Sequence, residues 1–114
     1  MIDSYRFGRI VVDQVAFDRD LIVFPDRVQP DWRRGEGHLL QWPDISEFVI
    51  AFDPGVIVIG TGKFGRMRIG GDFSDEIARR GITLHAESTD SAVKTFNRLV
   101  LEGGRAMAAF HLTC

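Results

Sequence analysis

The chain has a single cysteine, Cys114, so no internal disulfide can form. That scarcity fits the reducing, cytoplasmic setting expected for it. No run of about 18 apolar residues occurs, which excludes a membrane-spanning helix. The opening Met1-Ile2-Asp3-Ser4-Tyr5-Arg6 has neither the basic nor the apolar region of a secretory signal. An excess of one charge is also missing, because 14 Lys and Arg stand against 16 Asp and Glu, a net charge of −2. Arg33-Arg34 and Arg79-Arg80 are isolated pairs, so there is no electrostatic footprint for nucleic acid. No repeat, linker or low-complexity stretch divides the chain. What remains is one domain over residues 1–114, with 45% apolar and 26% charged residues, large enough to bury a core unaided.

The first third reads as β. Tyr5-Arg6-Phe7 and Ile10-Val11-Val12 flank Gly8, which predicts one strand bent or bulged at the glycine. Asp20-Leu21-Ile22-Val23-Phe24 is a second extended run, stopped by Pro25-Asp26, and Val28 to Arg33 is a weaker one that Pro30 places at an edge. Pro43-Asp44 opens a helix whose stripe is Ile45, Phe48, Val49 and Phe52. Burying four such side chains contributes about 6–12 kcal/mol before entropy is counted.

Val56-Ile57-Val58-Ile59 is apolar at every position and predicts a strand covered on both faces. Met67-Arg68-Ile69 is a short extended piece closed by Gly70-Gly71, which a helix would avoid. Asp72 to Arg80 predicts a helix capped by Gly81, and Ile82-Thr83-Leu84 a strand. Ser88-Thr89-Asp90 offers an N-cap to a helix with the stripe Ala92, Val93, Phe96, Leu99 and Val100. Ala106 to Leu112 is the last buried strand. The sum is an α/β fold, a single compact three-layer domain with a mixed central sheet and a β-rich N-terminal layer.

Gly60-Thr61-Gly62-Lys63-Phe64-Gly65 has the G-x-G-x-x-G spacing of a dinucleotide loop. Such a loop must open directly into a helix, and here the chain continues as a strand. No Ser or Thr follows Lys63 as a P-loop requires, and no acid stands about twenty residues on for a ribose. Two readings remain: glycines that let a strand turn, or an anion nest of backbone N–H groups with Lys63 and Arg66 beside it.

His38 sits in a glycine-flanked loop where Asp13 or Glu36 would have to orient it as a base. His111 and Cys114 lie three apart on a strand and so face opposite sides. They read as a hydrogen-bonded core or edge residue and a small buried hydrophobe. With three His and one Cys scattered, no metal set or catalytic set is complete, and no cofactor is expected. Trp32 and Trp42 read as core residues with paired N–H groups, Asn97 as a partner for a neighbouring loop, and Thr89 as a helix cap. Some of Phe17, Phe24 and Phe64 are candidates for an exposed partner-binding patch.

The series Tyr5-x-Phe7-Gly8-x-Ile10, Trp32, Gly37-His38, Gly60-Thr61-Gly62, Gly81-Ile82, Thr89-x-x-Ala92, Asn97, Gly104-Arg105 and His111-Leu112-Thr113-Cys114 resembles the Mth-domain family. That family includes the adipogenesis-associated Mth-domain protein and a mitochondrial assembly factor of respiratory complex I. The resemblance spans essentially the whole chain. It implies a compact three-layer α/β domain with no catalytic residues to carry over, and its mitochondrial members imply a non-enzymatic assembly role with a protein partner. Two departures stand out. The chain lacks an import extension, which points to a prokaryotic cytoplasm, and Phe96 stands where the family often has tyrosine. The rival expectation is a small anionic ligand, or an enzymatic site, at Gly60, Thr61, Gly62, Lys63 and Arg66, with His38 as base.

Overall fold

Strand β10 (Ala106–His111) organises the molecule, which is described over residues 1–114 by a computed structural model. It lies between β4 (Leu21–Val23), antiparallel, and β7 (Val56–Thr61), parallel. Adding β5 (Val28–Gln29) and β9 (Thr83–Glu87) gives a mixed sheet of order β5-β4-β10-β7-β9. Every residue of β7 and β10 is buried, as unbroken apolar runs covered on both faces require.

The pleat then divides the core. Val56, Val58, Ala106, Ala108 and Phe110 point to one face, where α3 (Thr89–Leu101) packs through Ala92, Val93 and Phe96. Ile57, Ile59, Met107 and Ala109 point to the other, against Val49 and Phe52 of α1 (Ser46–Phe52) and Phe73 and Ile77 of α2 (Gly71–Arg79). The predicted stripes are the buried ones, with Phe48, Leu99 and Val100 half-buried at their margins. No helix is long and apolar enough to cross a membrane.

The N-terminal layer differs from the bent strand expected at Gly8. Arg6 and Arg9 are cross-strand partners, and Gly8 at φ 78° turns a hairpin between β1 (Ile2–Arg6) and β2 (Arg9–Val12). A second two-residue turn leads to β3 (Val15–Phe17), a strand the pattern did not predict. Asp13 and Gln14 both have positive φ there, at 47° and 69°, the mirror-image turn that ordinarily takes Asn-Gly. The Asp3 carboxylate accepts the Gln14 N–H at 2.7 Å and holds this glycine-free turn.

Two helix starts also differ. Pro43-Asp44 belong to one 3₁₀ turn, Trp42–Asp44, and α1 begins only at Ser46. Gly70-Gly71 do not exclude a helix: Gly70 is the N-cap of α2 and Gly71 its first residue. Crowding explains the choice, since a Cβ at Gly70 would stand 2.7 Å from the carbonyl oxygen of Leu40. That carbonyl belongs to β6 (Leu39–Leu40), which pairs in parallel with β8 (Arg68–Ile69). After Gly65 the chain is extended and reaches β8 without a helical turn, as its alternation predicts.

Gly62 is the least replaceable glycine. Its φ is 106°, and a Cβ there would lie 2.4 Å from the backbone carbon of Cys114. Gly62→Ala is expected to cost about 2–5 kcal/mol in urea denaturation, combining backbone strain with overpacking. Gly71→Ala, with open space around it, is expected to add about 0.4–1 kcal/mol. Equal stability of the two variants would overturn this account.

Candidate functional site

The carboxyl ends of the parallel strands β7, β9 and β10 lie together, where α/β sheets place their ligands. β7 leads toward α2 on one face and β9 into α3 on the other, so a crevice is due between their ends. It is bridged by the protein itself. Thr61 Oγ1 donates to the carbonyl of Glu87 at 3.0 Å. The Gly62 N–H donates to Thr89 Oγ1 at 2.9 Å, and that hydroxyl donates onward to the carbonyl of His111 at 2.7 Å. Thr89 is thus a buried tie between three elements and not the expected helix cap; Ser88 holds the N-cap position.

The rest of the glycine loop wraps the C-terminal segment. Lys63 N–H donates to Thr113, Gly65 to Gly62, Arg66 to Cys114 and Met67 to Thr61, at 2.7–3.2 Å. With Gly62, five loop amides are directed at protein oxygens. Gly60 is glycine for space, since a Cβ would meet Phe110 at 2.6 Å and Thr89 Oγ1 at 2.9 Å. Lys63 Nζ pairs with Asp90 at 2.9 Å and stands over the Tyr5 ring, while Arg66 is exposed. Phe64, at the loop tip, is 67% exposed, and its ring centroid is 6.4 Å from that of Phe7, itself 50% exposed.

A second cluster was not foreseen. The antiparallel pairing of β4 with β10 sets Leu21 opposite Phe110, and so brings Asp20 beside His111. Asp20 Oδ2 lies 2.8 Å from His111 Nδ1 and accepts from Arg34 Nη2 at 2.8 Å, while Oδ1 accepts the Leu112 N–H at 2.9 Å. Arg34 Nη2 also donates to the carbonyl of Gly37 at 2.7 Å, which uses both its hydrogens. The proton on His111 Nδ1 therefore points at Asp20, and in the neutral ring Nε2 carries the lone pair. The Arg34 side chain is 4% exposed; its Nη1 and the Nε2 of His111 are buried without a protein partner. An Asp–His pair in this tautomer has the form of a general base, yet no hydroxyl or thiol is bonded to Nε2 to be activated.

His38 is exposed and packs its ring edge-on against His111, with centroids 5.4 Å apart. Neither expected orienting acid is bonded to it. The Asp13 carboxylate pairs with the Met1 amino group in the β2–β3 turn, and Glu36 is exposed. His111 is the hydrogen-bonded buried residue expected, whereas Cys114 is half-buried. Trp32 is buried with its N–H on the carbonyl of Asp44, Trp42 is half-buried, and Asn97 binds both backbone groups of Ile2 on β1. No three His, Cys, Asp or Glu side chains gather as metal ligands. The largest surface depression, about 650 Å³, lies elsewhere, at the β1–β2 turn and the end of β3.

A family model described as a protein of unknown function (DUF498/DUF598) matches residues 2–111, and the chain belongs to that family. Solved structures share the whole fold. A conserved hypothetical protein of Pyrococcus horikoshii superposes with a TM-score of 0.83 at 22% identity, covering 100% of this chain and 99% of that one. A Mth938-like domain of Bordetella pertussis gives 0.79 at 20%, covering 98% and 85%. A protein of Bartonella henselae described as an outer membrane protein gives 0.82 at 24%, covering 99% and 94%. The chain therefore has the Mth938-like fold.

Two ionisable groups report on this end of the sheet. Burial alone would raise the Asp20 carboxyl, but the hydrogen bonds of His111, Leu112 and Arg34 outweigh it and hold it below its ordinary value of 3.8. Its contribution to stability is therefore complete above 3.8 and is lost as pH falls through the lower native value. Asp20→Asn is expected to cost about 2–4 kcal/mol at neutral pH, because Arg34 stays buried with its carboxylate gone. In urea melts at successively lower pH, mutant and wild type should converge below 3.8; a constant difference would refute the assignment. The Tyr5 hydroxyl, which donates to the Leu112 carbonyl at 2.8 Å, is pushed up to about 12, first by burial and then by the charge of Asp90. As the only tyrosine, it should show a native tyrosinate absorbance midpoint near 12, against 10.0 when unfolded, with stability falling between the two. A native midpoint at 10.0 would contradict this placement.

Proposed function

We propose that this member of the DUF498/DUF598 family is a non-enzymatic binding protein that docks on another protein while a larger complex is assembled. Maturation of respiratory complex I, or of a complex like it, is the specific setting implied by the Mth-domain resemblance, and a prokaryotic cytoplasm is the proposed location. One observation supports the reading above all others: the glycine loop directs its amides inward and turns Phe64 outward beside Phe7. Two adjacent aromatic rings left in water are unfavourable for a free monomer and are the residue type that anchors protein interfaces. The rival, a small anion or substrate held by Lys63 and Arg66 with His38 as base, has less support. Lys63 already faces Asp90, and five amides of the loop segment, those of Gly62, Lys63, Gly65, Arg66 and Met67, are bonded within the protein.

The test is affinity capture from the native cell with wild type and with Phe7→Asp/Phe64→Asp. The wild type should retain a stoichiometric protein partner, and the double variant should lose it. Its melting temperature should stay within about 3 °C, as surface substitutions allow. Capture of nothing by the wild type, or of the same partner by both, would refute the proposal. Stabilisation by phosphate or a nucleotide would instead favour the rival, a ligand at 100 times its Kd adding about 2.7 kcal/mol.

A further inference from the structure

The largest depression on the surface adjoins the exposed aromatic pair. Arg6, Phe7, Gly8 and Arg9 line it from the β1–β2 turn, and Ala16, Phe17 and Asp18 from the end of β3. Three observations define what would fit it. First, Arg6 and Arg9 are exposed, directly opposed across the strands, and neither has a carboxylate within salt-bridge distance. Like charges placed opposite one another destabilise a strand pair, and an anionic partner relieves the repulsion. Asp18, the one acidic residue of the lining, follows Phe17 and so lies next in register to Arg9, without forming a salt bridge to it.

Second, the arginines flank an exposed apolar ring, Phe7 at the turn, while Phe17 borders the depression half-buried against the core beneath β2. Third, β3 is an edge. It pairs with β2 on one side and with nothing on the other. The two-residue turn makes Val12–Val15 a hydrogen-bonded pair, so the ladder's alternation turns the Ala16 N–H and C=O outward. Unpaired strand groups of this kind accept an added strand.

We infer that this groove docks an extended acidic segment of a partner protein. Its carboxylates lie over Arg6 and Arg9, one apolar side chain rests against Phe7, and its backbone adds to β3 at Ala16. The inference rests on the binding-protein reading above and names the partner's chemistry. A nucleic acid fits less well, because the positive charge is confined to two arginines on a chain of net charge −2.

The experiment is selection of a random peptide library on the immobilised wild-type protein, repeated with Arg6→Glu/Arg9→Glu and with the milder Arg6→Gln/Arg9→Gln. Acidic peptides carrying an apolar anchor should be enriched. Their affinity should fall by about tenfold or more in the glutamate variant and decline with salt, as expected of charged contacts at an interface. Amide chemical-shift mapping with the strongest peptide should move Arg6–Arg9 and Ala16–Asp18. Basic or uncharged winners, no enrichment, undiminished binding by the glutamate variant, or shifts elsewhere would each overturn the inference. So would binding of phosphatidylserine vesicles or duplex DNA, in place of peptide, through the same arginines. Native capture separates the two claims. A partner kept by Arg6→Glu/Arg9→Glu but lost by Phe7→Asp/Phe64→Asp sinks this inference and leaves the binding-protein reading standing.

Discussion

Thr89 is wholly buried, and its one hydroxyl joins the Gly62 amide to the His111 carbonyl. Through it the end of β7, the start of α3 and the end of β10 are held at a single point. A buried hydroxyl must satisfy both its donor and its acceptor capacity, and here each partner is a backbone group with no other means of adjusting. The same point requires glycine twice. Gly60 leaves room for Thr89 and Phe110, and Gly62 leaves room for the backbone at Cys114. The glycine loop is a packing solution at a crowded strand end.

That solution determines where function is to be sought. In doubly wound sheets a crevice opens beyond the carboxyl ends of the strands where neighbouring connections leave to opposite faces, and amides without an internal acceptor can bind an anion there. Here Thr113 and Cys114 accept the amides of Lys63 and Arg66, Thr89 Oγ1 accepts that of Gly62, and the loop's own carbonyls accept those of Gly65 and Met67, so these five amides are used within the fold. What the loop presents outside is carbon: the ring of Phe64, beside that of Phe7. The proposed docking surface accordingly lies on the N-terminal sheet and not at the end of the central one.

Local pattern made most of the framework legible. Val56-Ile57-Val58-Ile59 and Ala106 to Leu112 announced the two central strands, and the stripes through Val49, Phe52, Ala92 and Phe96 announced two of the covering helices. The misses share a cause. The Asp13-Gln14 turn carries no glycine, because the Asp3 side chain supplies from outside what Asn-Gly supplies locally. Gly70-Gly71 looked like a helix breaker because the crowding by Leu40 is a tertiary fact. The Asp20–Arg34–His111 cluster joins residues up to 91 apart, and only the register of β4 on β10 brings them together. A lone aspartate ahead of an apolar run carries no sign of that partner.

The buried cluster and the exposed groove have opposite electrostatic designs. Arg34 is almost fully removed from water, which is tolerable only because Asp20 and the Gly37 carbonyl meet its guanidinium at 2.7–2.8 Å. Such a pair adds little net stability over an apolar replacement, and its bonds tie Arg34 and Gly37 of the loop to Asp20 at the end of β10. Arg6 and Arg9 have no such partner and remain hydrated, so they cost the fold little while free. Desolvating them without a carboxylate would be unfavourable, and an acidic segment removes that penalty. In the proposed docking, this pair of unpaired cations is what favours an acidic segment beside Phe7.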